Sequence, residues 1–93
     1  MELKAAFALA LRETRARRHL TQEDFTGVSS RTNLSLLERG KTNPTLEKLT
    51  QLCTVLDVHP LTLMALCYSK KESRTGSDLL AEVAFQLELF DRP

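Results

Sequence analysis

The chain has 93 residues, of which 42% are hydrophobic and 27% are charged, with a formal net charge of +1. This length supports one small domain and excludes two independent hydrophobic cores. No run approaches the roughly 18 consecutive apolar residues of a membrane span, and the N-terminus lacks the layout of a signal peptide, so we expect a cytoplasmic protein without membrane contact.

The charges are distributed unevenly between the two halves of the chain. Residues 1–50 contain nine Lys/Arg against six Asp/Glu, a balance of +3, whereas residues 51–93 contain four against six, a balance of −2. A basic half is a weak indication of an anionic partner, because many surface charges are simply solvated.

Catalytic and metal-binding arrangements are absent from the sequence. Cys53, Cys67, His19 and His59 are isolated from one another and from acidic residues at ligand spacing, so we expect buried thiols and no metal site. Only three glycines occur, none in a phosphate-binding loop, and no nucleophile has an adjacent base. The sequence therefore predicts a protein that is not an enzyme and holds no cofactor.

The first predicted helix covers residues 2–18. Its last turn, "RARR", places cations where the helix dipole is negative. Apolar positions recur along it at intervals of three and four, the pattern of an amphipathic helix: Leu3, Phe7, Ala10, Leu11 and Thr14.

Two short helices follow. Thr21 is a suitable N-cap for a helix from Gln22, and Gly27 limits that helix to little more than one turn. Either Ser29 or Ser30 caps the next helix, which is predicted to run to Arg39 before a terminating glycine at position 40.

Three helices are predicted in the remainder of the chain. One starts after Thr45 and carries an apolar stripe along Leu46, Leu49, Leu52, Cys53 and Leu56. Pro60 starts another, which we expect to end near Tyr68. Residues 69–77, "SKKESRTGS", read as a polar linker, and Ser77 is predicted to cap a final amphipathic helix over residues 78–93.

The two short helices around Gly27 are typical of a helix-turn-helix, in which the second helix can enter the major groove of DNA. Leu34 and Leu37 lie three residues apart and are expected to face the core. The other sectors of this helix carry residues able to contact base edges or thymine methyl groups: Arg31, Thr32, Ser35 and Leu36.

A chain of motifs over residues 7–66 resembles the Xre/Cro/CI-type helix-turn-helix family of small bacterial and phage DNA-binding transcription regulators. The motifs are "LRETRARRHLTQEDF", "VSSRTNLSLLERGKTNPTLEKL" and "LCTVLDVHPLTLM", in that order. The resemblance implies an all-α, lambda-repressor-like five-helix domain over residues 1–68, with the final helix lying outside it.

The resemblance also implies roles for individual residues. Gln22 would bind a backbone phosphate and brace the base-reading residues Arg31, Thr32, Ser35 and Leu36. Further phosphate contacts would come from Asn33, Arg39, Lys41, Thr42 and Asn43. Arg15 and Glu38 would form an ion pair between the first and third predicted helices.

Several of these side chains have structural alternatives. Arg15 could instead contact phosphate, and Leu36 could pack against a neighbouring helix. Arg17 and Arg18 are better explained as partners of the helix dipole than as DNA ligands. Asn33 and Ser35 could be ordinary polar surface residues.

The chain departs from the family pattern in one place. The span from Gln22 to Gly40 is roughly two residues shorter than the docking pattern of the family leads us to expect. We therefore expect either a second helix reduced to little more than a turn or a rearranged connection.

The sequence favours a homodimeric transcription regulator that binds an inverted repeat in double-stranded DNA. The apolar face of the last helix would then contribute to the dimer interface through Leu79, Leu80, Val83, Leu87 and Phe90. The alternative is an antitoxin, in which this helix binds a toxin protein and the chain represses its own promoter. No sensor domain for a small-molecule ligand is recognisable.

Overall fold

The computed structural model describes residues 1–92, and these residues form helices and connecting loops without a β-strand. The all-α prediction is therefore confirmed. In chain order the elements are α1 (Leu3–Arg17), a short 3₁₀ helix (Gln22–Phe25), α2 (Arg31–Glu38), α3 (Leu46–Leu56), α4 (Pro60–Glu72) and α5 (Gly76–Asp91).

Local capping explains where the central helices begin and end. The hydroxyl of Ser30 accepts a hydrogen bond from the Asn33 backbone N–H at 3.0 Å, so Ser30 rather than Ser29 caps α2. Thr45 caps α3 in the same way, through the Lys48 N–H at 3.0 Å. Just beyond α2, Gly40 adopts a φ of +71°, a left-handed conformation that glycine takes without steric cost.

The hydrophobic core lies where α1, the 3₁₀ helix, α2, α3 and α4 converge. Its largest fully buried side chains are Phe7, Leu11, Phe25, Leu34, Leu37, Leu52, Leu56 and Leu63. Cys53 and Cys67 belong to the same core as free thiols, and burial raises the pKa of both. Leu46 was expected in the core stripe of α3, but it is 83% exposed because it occupies the first position of the helix.

The predicted linker over residues 69–77 is wrong. α4 continues to Glu72, and Ser73 ends it with a φ of 55°. Lysine and glutamate favour helix as strongly as many apolar residues, and Lys70 Nζ lies 2.8 Å from Glu13 Oε2 on α1, which secures the added turn.

The start of the last helix also differs from the prediction. Its N-cap is Thr75, whose hydroxyl accepts from the Asp78 N–H at 3.1 Å, and not Ser77. Only residues 73–75 therefore separate α4 from α5. α5 therefore follows α4 after a short turn and not after a nine-residue linker.

α5 projects from the rest of the molecule. Its main packing partner is α4, and of its residues only Leu79 is buried. The radius of gyration is 14.1 Å, compared with about 12 Å for a compact domain of this length, and the longest dimension is 45 Å. Among residues 1–92 no single helix is long and apolar enough to cross a membrane; only α3 and α4 together, bent by 105°, reach that length and composition.

Candidate nucleic-acid interface

α2 is held against the core along one side and exposed along the other. Leu34 and Leu37 are each 1% exposed and anchor the inner side, together with the buried Glu38. Arg31, Thr32 and Arg39 are exposed, whereas Ser35 and Leu36 are half-buried at the edges. The helix therefore presents a polar outer face at the surface of the domain.

The outer face of α2 and the start of the 3₁₀ helix form one shallow polar depression. It is lined by Gln22, Arg31, Thr32, Ser35 and Arg39. Three of the four residues expected to read bases thus lie beside two of those expected to contact phosphate. Leu36 does not line this depression, so its two readings, packing and thymine contact, both remain predictions.

Arg31 has a partner that the sequence did not predict. Its Nη2 lies 2.8 Å from Oε1 of Glu23, and the two side chains are 68% and 73% exposed. Glu23 belongs to the 3₁₀ helix and Arg31 is the first residue of α2. The contact joins the two helices across their outer edge. Sequence reasoning missed it because the two residues lie eight positions apart with an irregular turn between them.

Gln22 has a hydrogen-bond partner that the family resemblance did not imply. Its amide Nε2 donates to Glu38 Oε1 at 2.8 Å, and its implied roles in phosphate contact and bracing stay predictions. The expected shortening of the second helix is confirmed: it is a 3₁₀ helix of four residues, and Gln22 is the first of them.

Arg15 and Glu38 lie together, as the family resemblance implies. Arg15 Nε is 2.6 Å from Glu38 Oε2, and its Nη2 is 3.2 Å from Oε1. Nη1 of Arg15 donates to the Leu20 carbonyl at 3.1 Å. With all these donors directed into the protein, Arg15 ties α1 to α2 and to the loop before the 3₁₀ helix.

The candidate phosphate contacts surround α2. Lys41 and Asn43 are exposed in the loop that follows it, and Arg39 Nε donates to the Ser35 carbonyl at 3.3 Å. Thr42 is half-buried, and Asn33 is half-buried with its amide donating to the Ser29 hydroxyl at 3.1 Å. Cationic and amide groups therefore extend from α2 into the loop before α3.

Arg18, at the C-terminal end of α1, contacts the end of α3. Arg18 Nη2 donates to the carbonyl oxygen of Asp57 at 3.0 Å, immediately after the end of α3. A cation at the C-terminal end of a helix interacts favourably with its dipole. This contact gives Arg18 a structural function between α1 and α3.

Comparison with known proteins identifies the same unit. The family model described as "Helix-turn-helix" (HTH_3) matches residues 11–63, more than half of the chain. No curated protein sequence matches the chain significantly.

Two solved structures of the clp gene regulator ClgR resemble this protein. One, from C. glutamicum, has a TM-score of 0.69 at 26% identity and covers 75% of this chain and 94% of its own. The other, from Corynebacterium glutamicum, has a TM-score of 0.72 at 24% identity over 98% of this chain and 96% of its own, a likeness of fold that includes α5. The chain belongs to the Xre/Cro/CI-type helix-turn-helix family of DNA-binding transcription regulators.

Proposed function

We propose that this protein is a sequence-specific regulator of transcription that binds an inverted repeat in double-stranded DNA as a homodimer. Each protomer would place α2 in a major groove, where Arg31, Thr32 and Ser35 would contact base edges. Arg39, Lys41, Thr42 and Asn43, together with Gln22 and Asn33 beside α2, would contact phosphates and fix the register.

The observation that carries this proposal is the polar outer face of α2. An arginine at its first position and hydroxyl side chains at the second and fifth are directed away from a helix whose inner face is fully buried. Arginine can donate two hydrogen bonds to guanine, and hydroxyl groups can contact any base.

The homodimer is supported by the surface of α5. Leu80, Val83, Leu87 and Phe90 recur at three- and four-residue intervals and are between 37% and 86% exposed. Leu79 was expected to join this interface, but α4 of the same chain already covers it, leaving it 7% exposed.

A second apolar stripe strengthens the case for the dimer. Phe85 and Leu89, which the sequence analysis did not single out, are 63% and 53% exposed on the opposite side of α5. A helix that is apolar on both sides is normally buried, and a stable interface covers about 800 Å² per partner. We propose that a second copy of the chain covers both stripes.

Selection from random duplex DNA tests the proposed function. We expect the wild-type protein to enrich an inverted repeat whose half-sites are about 34–36 Å apart, one helical turn of DNA. Binding to the enriched duplex should weaken steeply with salt, because phosphate contacts supply much of the affinity. Enrichment of no sequence at any salt concentration would contradict the proposal.

A further inference from the structure

Glu23 places a negative charge on the surface that is proposed to meet a polyanion. It is 73% exposed, and its Oε1 lies 2.8 Å from Nη2 of Arg31. A free carboxylate at this position would only oppose DNA binding. Its contact with the residue best suited to reading guanine indicates a different role.

Two adjacent residues of the 3₁₀ helix contact opposite ends of α2. Gln22, which the family resemblance assigns to bracing the base-reading residues, is engaged with Glu38 at 2.8 Å. The 3₁₀ helix then brings the next residue, Glu23, to the start of α2. In this chain the only described side-chain partner of Arg31 is therefore a carboxylate and not an amide.

We propose that Glu23 is a specificity-determining residue that positions Arg31 for base contact. This inference rests on the proposed function, since it assigns the origin of sequence preference at the same surface. Glu23 Oε1 accepts from one Nη of the guanidinium, which leaves N–H groups on the other nitrogens to donate to guanine O6 and N7.

Two physical effects would produce the specificity. An unrestrained arginine loses considerable rotamer freedom when it binds a base, and an existing ion pair has already reduced that freedom. An arginine that swings to a phosphate would also bring the carboxylate toward a negative charge, which penalises the non-specific mode. Both effects increase the ratio of the affinity for the cognate site to the affinity for random DNA. The second effect does so by lowering the affinity for random DNA.

A double-mutant cycle on Glu23 and Arg31 tests the proposal. The probes are the duplex enriched by the wild-type protein and a shuffled duplex of the same length, and the measurement is the ratio of the two affinities. We expect Glu23→Ala to bind the shuffled duplex more tightly and to reduce the ratio about two- to fivefold, the range expected for one exposed ion pair. In an Arg31→Ala background the same substitution should leave the ratio unchanged.

Two further variants separate positioning from net charge. Glu23→Gln keeps the side-chain length and an acceptor oxygen, so we expect a ratio between those of the wild type and Glu23→Ala. Glu47→Ala removes another exposed acidic residue of the same basic half, one that has no ion pair within residues 1–92. This control should leave the ratio unchanged.

The outcomes distinguish the inference from the proposed function. If the wild-type protein enriches no duplex, the proposed function and this inference are both wrong. If it enriches one and Glu23→Ala leaves the ratio intact, Glu23 contributes only charge and the positioning role is wrong. If Glu23→Ala lowers the ratio equally in the Arg31→Ala background, Glu23 reads a base itself, which also overturns the inference.

Discussion

Arg15 and Glu38 form a two-point ion pair that joins α1 to α2, with Nε–Oε2 and Nη2–Oε1 distances of 2.6 and 3.2 Å. Glu38 is 5% exposed, and Gln22 supplies a third hydrogen bond to its carboxylate. Because Glu38 is the last residue of α2, this pair attaches the C-terminal end of the helix that is proposed to enter DNA to α1.

Removing Arg15 should destabilise the fold strongly. Arg15→Ala leaves a buried carboxylate with only the Gln22 amide as a partner, and breaking a buried pair from one side typically costs about 3–5 kcal/mol. We expect a clear fall in the free energy of unfolding measured with urea. Arg17→Ala, on the same helix but exposed, should change it by no more than about 0.5 kcal/mol. Equal losses in the two variants would argue against a stabilising role for the pair.

Features governed by neighbouring residues could be predicted from the sequence. The cap at Thr45 and the left-handed Gly40 depend on side-chain and backbone bonds within a few residues. The spacing of Leu34 and Leu37 likewise identified the inner face of α2, because helical period alone determines which residues share a side. Where several candidate caps adjoin, the sequence was less decisive: it left Ser29 and Ser30 both open for α2, and it placed the cap of α5 at Ser77 instead of Thr75.

Features governed by distant contacts could not be predicted. In the extra turn of α4, Lys70 contacts Glu13 on a distant part of the chain, and a polar run gives no sign of such a contact. The hydrogen bond from Gln22 to Glu38 and the ion pair of Glu23 with Arg31 both start from a single 3₁₀ turn, whose geometry the sequence pattern does not specify.

Arg31→Ala should lower sequence discrimination. A bidentate contact between arginine and guanine is worth about 1–3 kcal/mol, so affinity for the enriched duplex should fall by that amount and preference at one base pair should relax. Binding assays on single-base variants of the duplex would show this. Unchanged discrimination would contradict the assignment of Arg31 to base reading.

Lys41→Ala should behave differently from Arg31→Ala. Lys41 is exposed in the loop after α2, where a phosphate contact would carry no sequence information. We expect weaker binding to enriched and shuffled duplexes alike, and a decrease of about one unit in the slope of log affinity against log salt. A loss confined to the enriched duplex would instead make Lys41 a base-reading residue.

Two glycines should respond oppositely to alanine. Gly40 has a φ of +71°, and a residue with a Cβ in that conformation costs about 1–2 kcal/mol. Gly27 does not have a positive φ, and an added Cβ would meet nothing within 4 Å. There the substitution restricts mainly the unfolded chain and should stabilise by about 0.4–1 kcal/mol. Urea unfolding of both variants measures the difference, and destabilisation of Gly27→Ala would show that the turn needs glycine.

Leu87→Glu should convert the proposed dimer to a monomer. Leu87 is 57% exposed, so a charge there does not enter the protomer's core, but in a dimer it would be buried without a partner. Sedimentation should show the mass of a single protomer. Affinity for the inverted repeat should fall, because two linked protomers no longer bind its two half-sites at the same time. Phe85→Glu, on the opposite stripe, tests whether both sides of α5 are covered.

The matched control for α5 is Leu46→Glu, which places the same charge on an 83% exposed leucine at the start of α3. It should leave the dimer intact, because the interface is assigned to α5 and not to exposed leucines in general. If Leu87→Glu remains as dimeric as Leu46→Glu, a second copy does not cover this stripe. Retention of a heterologous protein by the wild type, lost in Leu87→Glu, would then favour the antitoxin alternative.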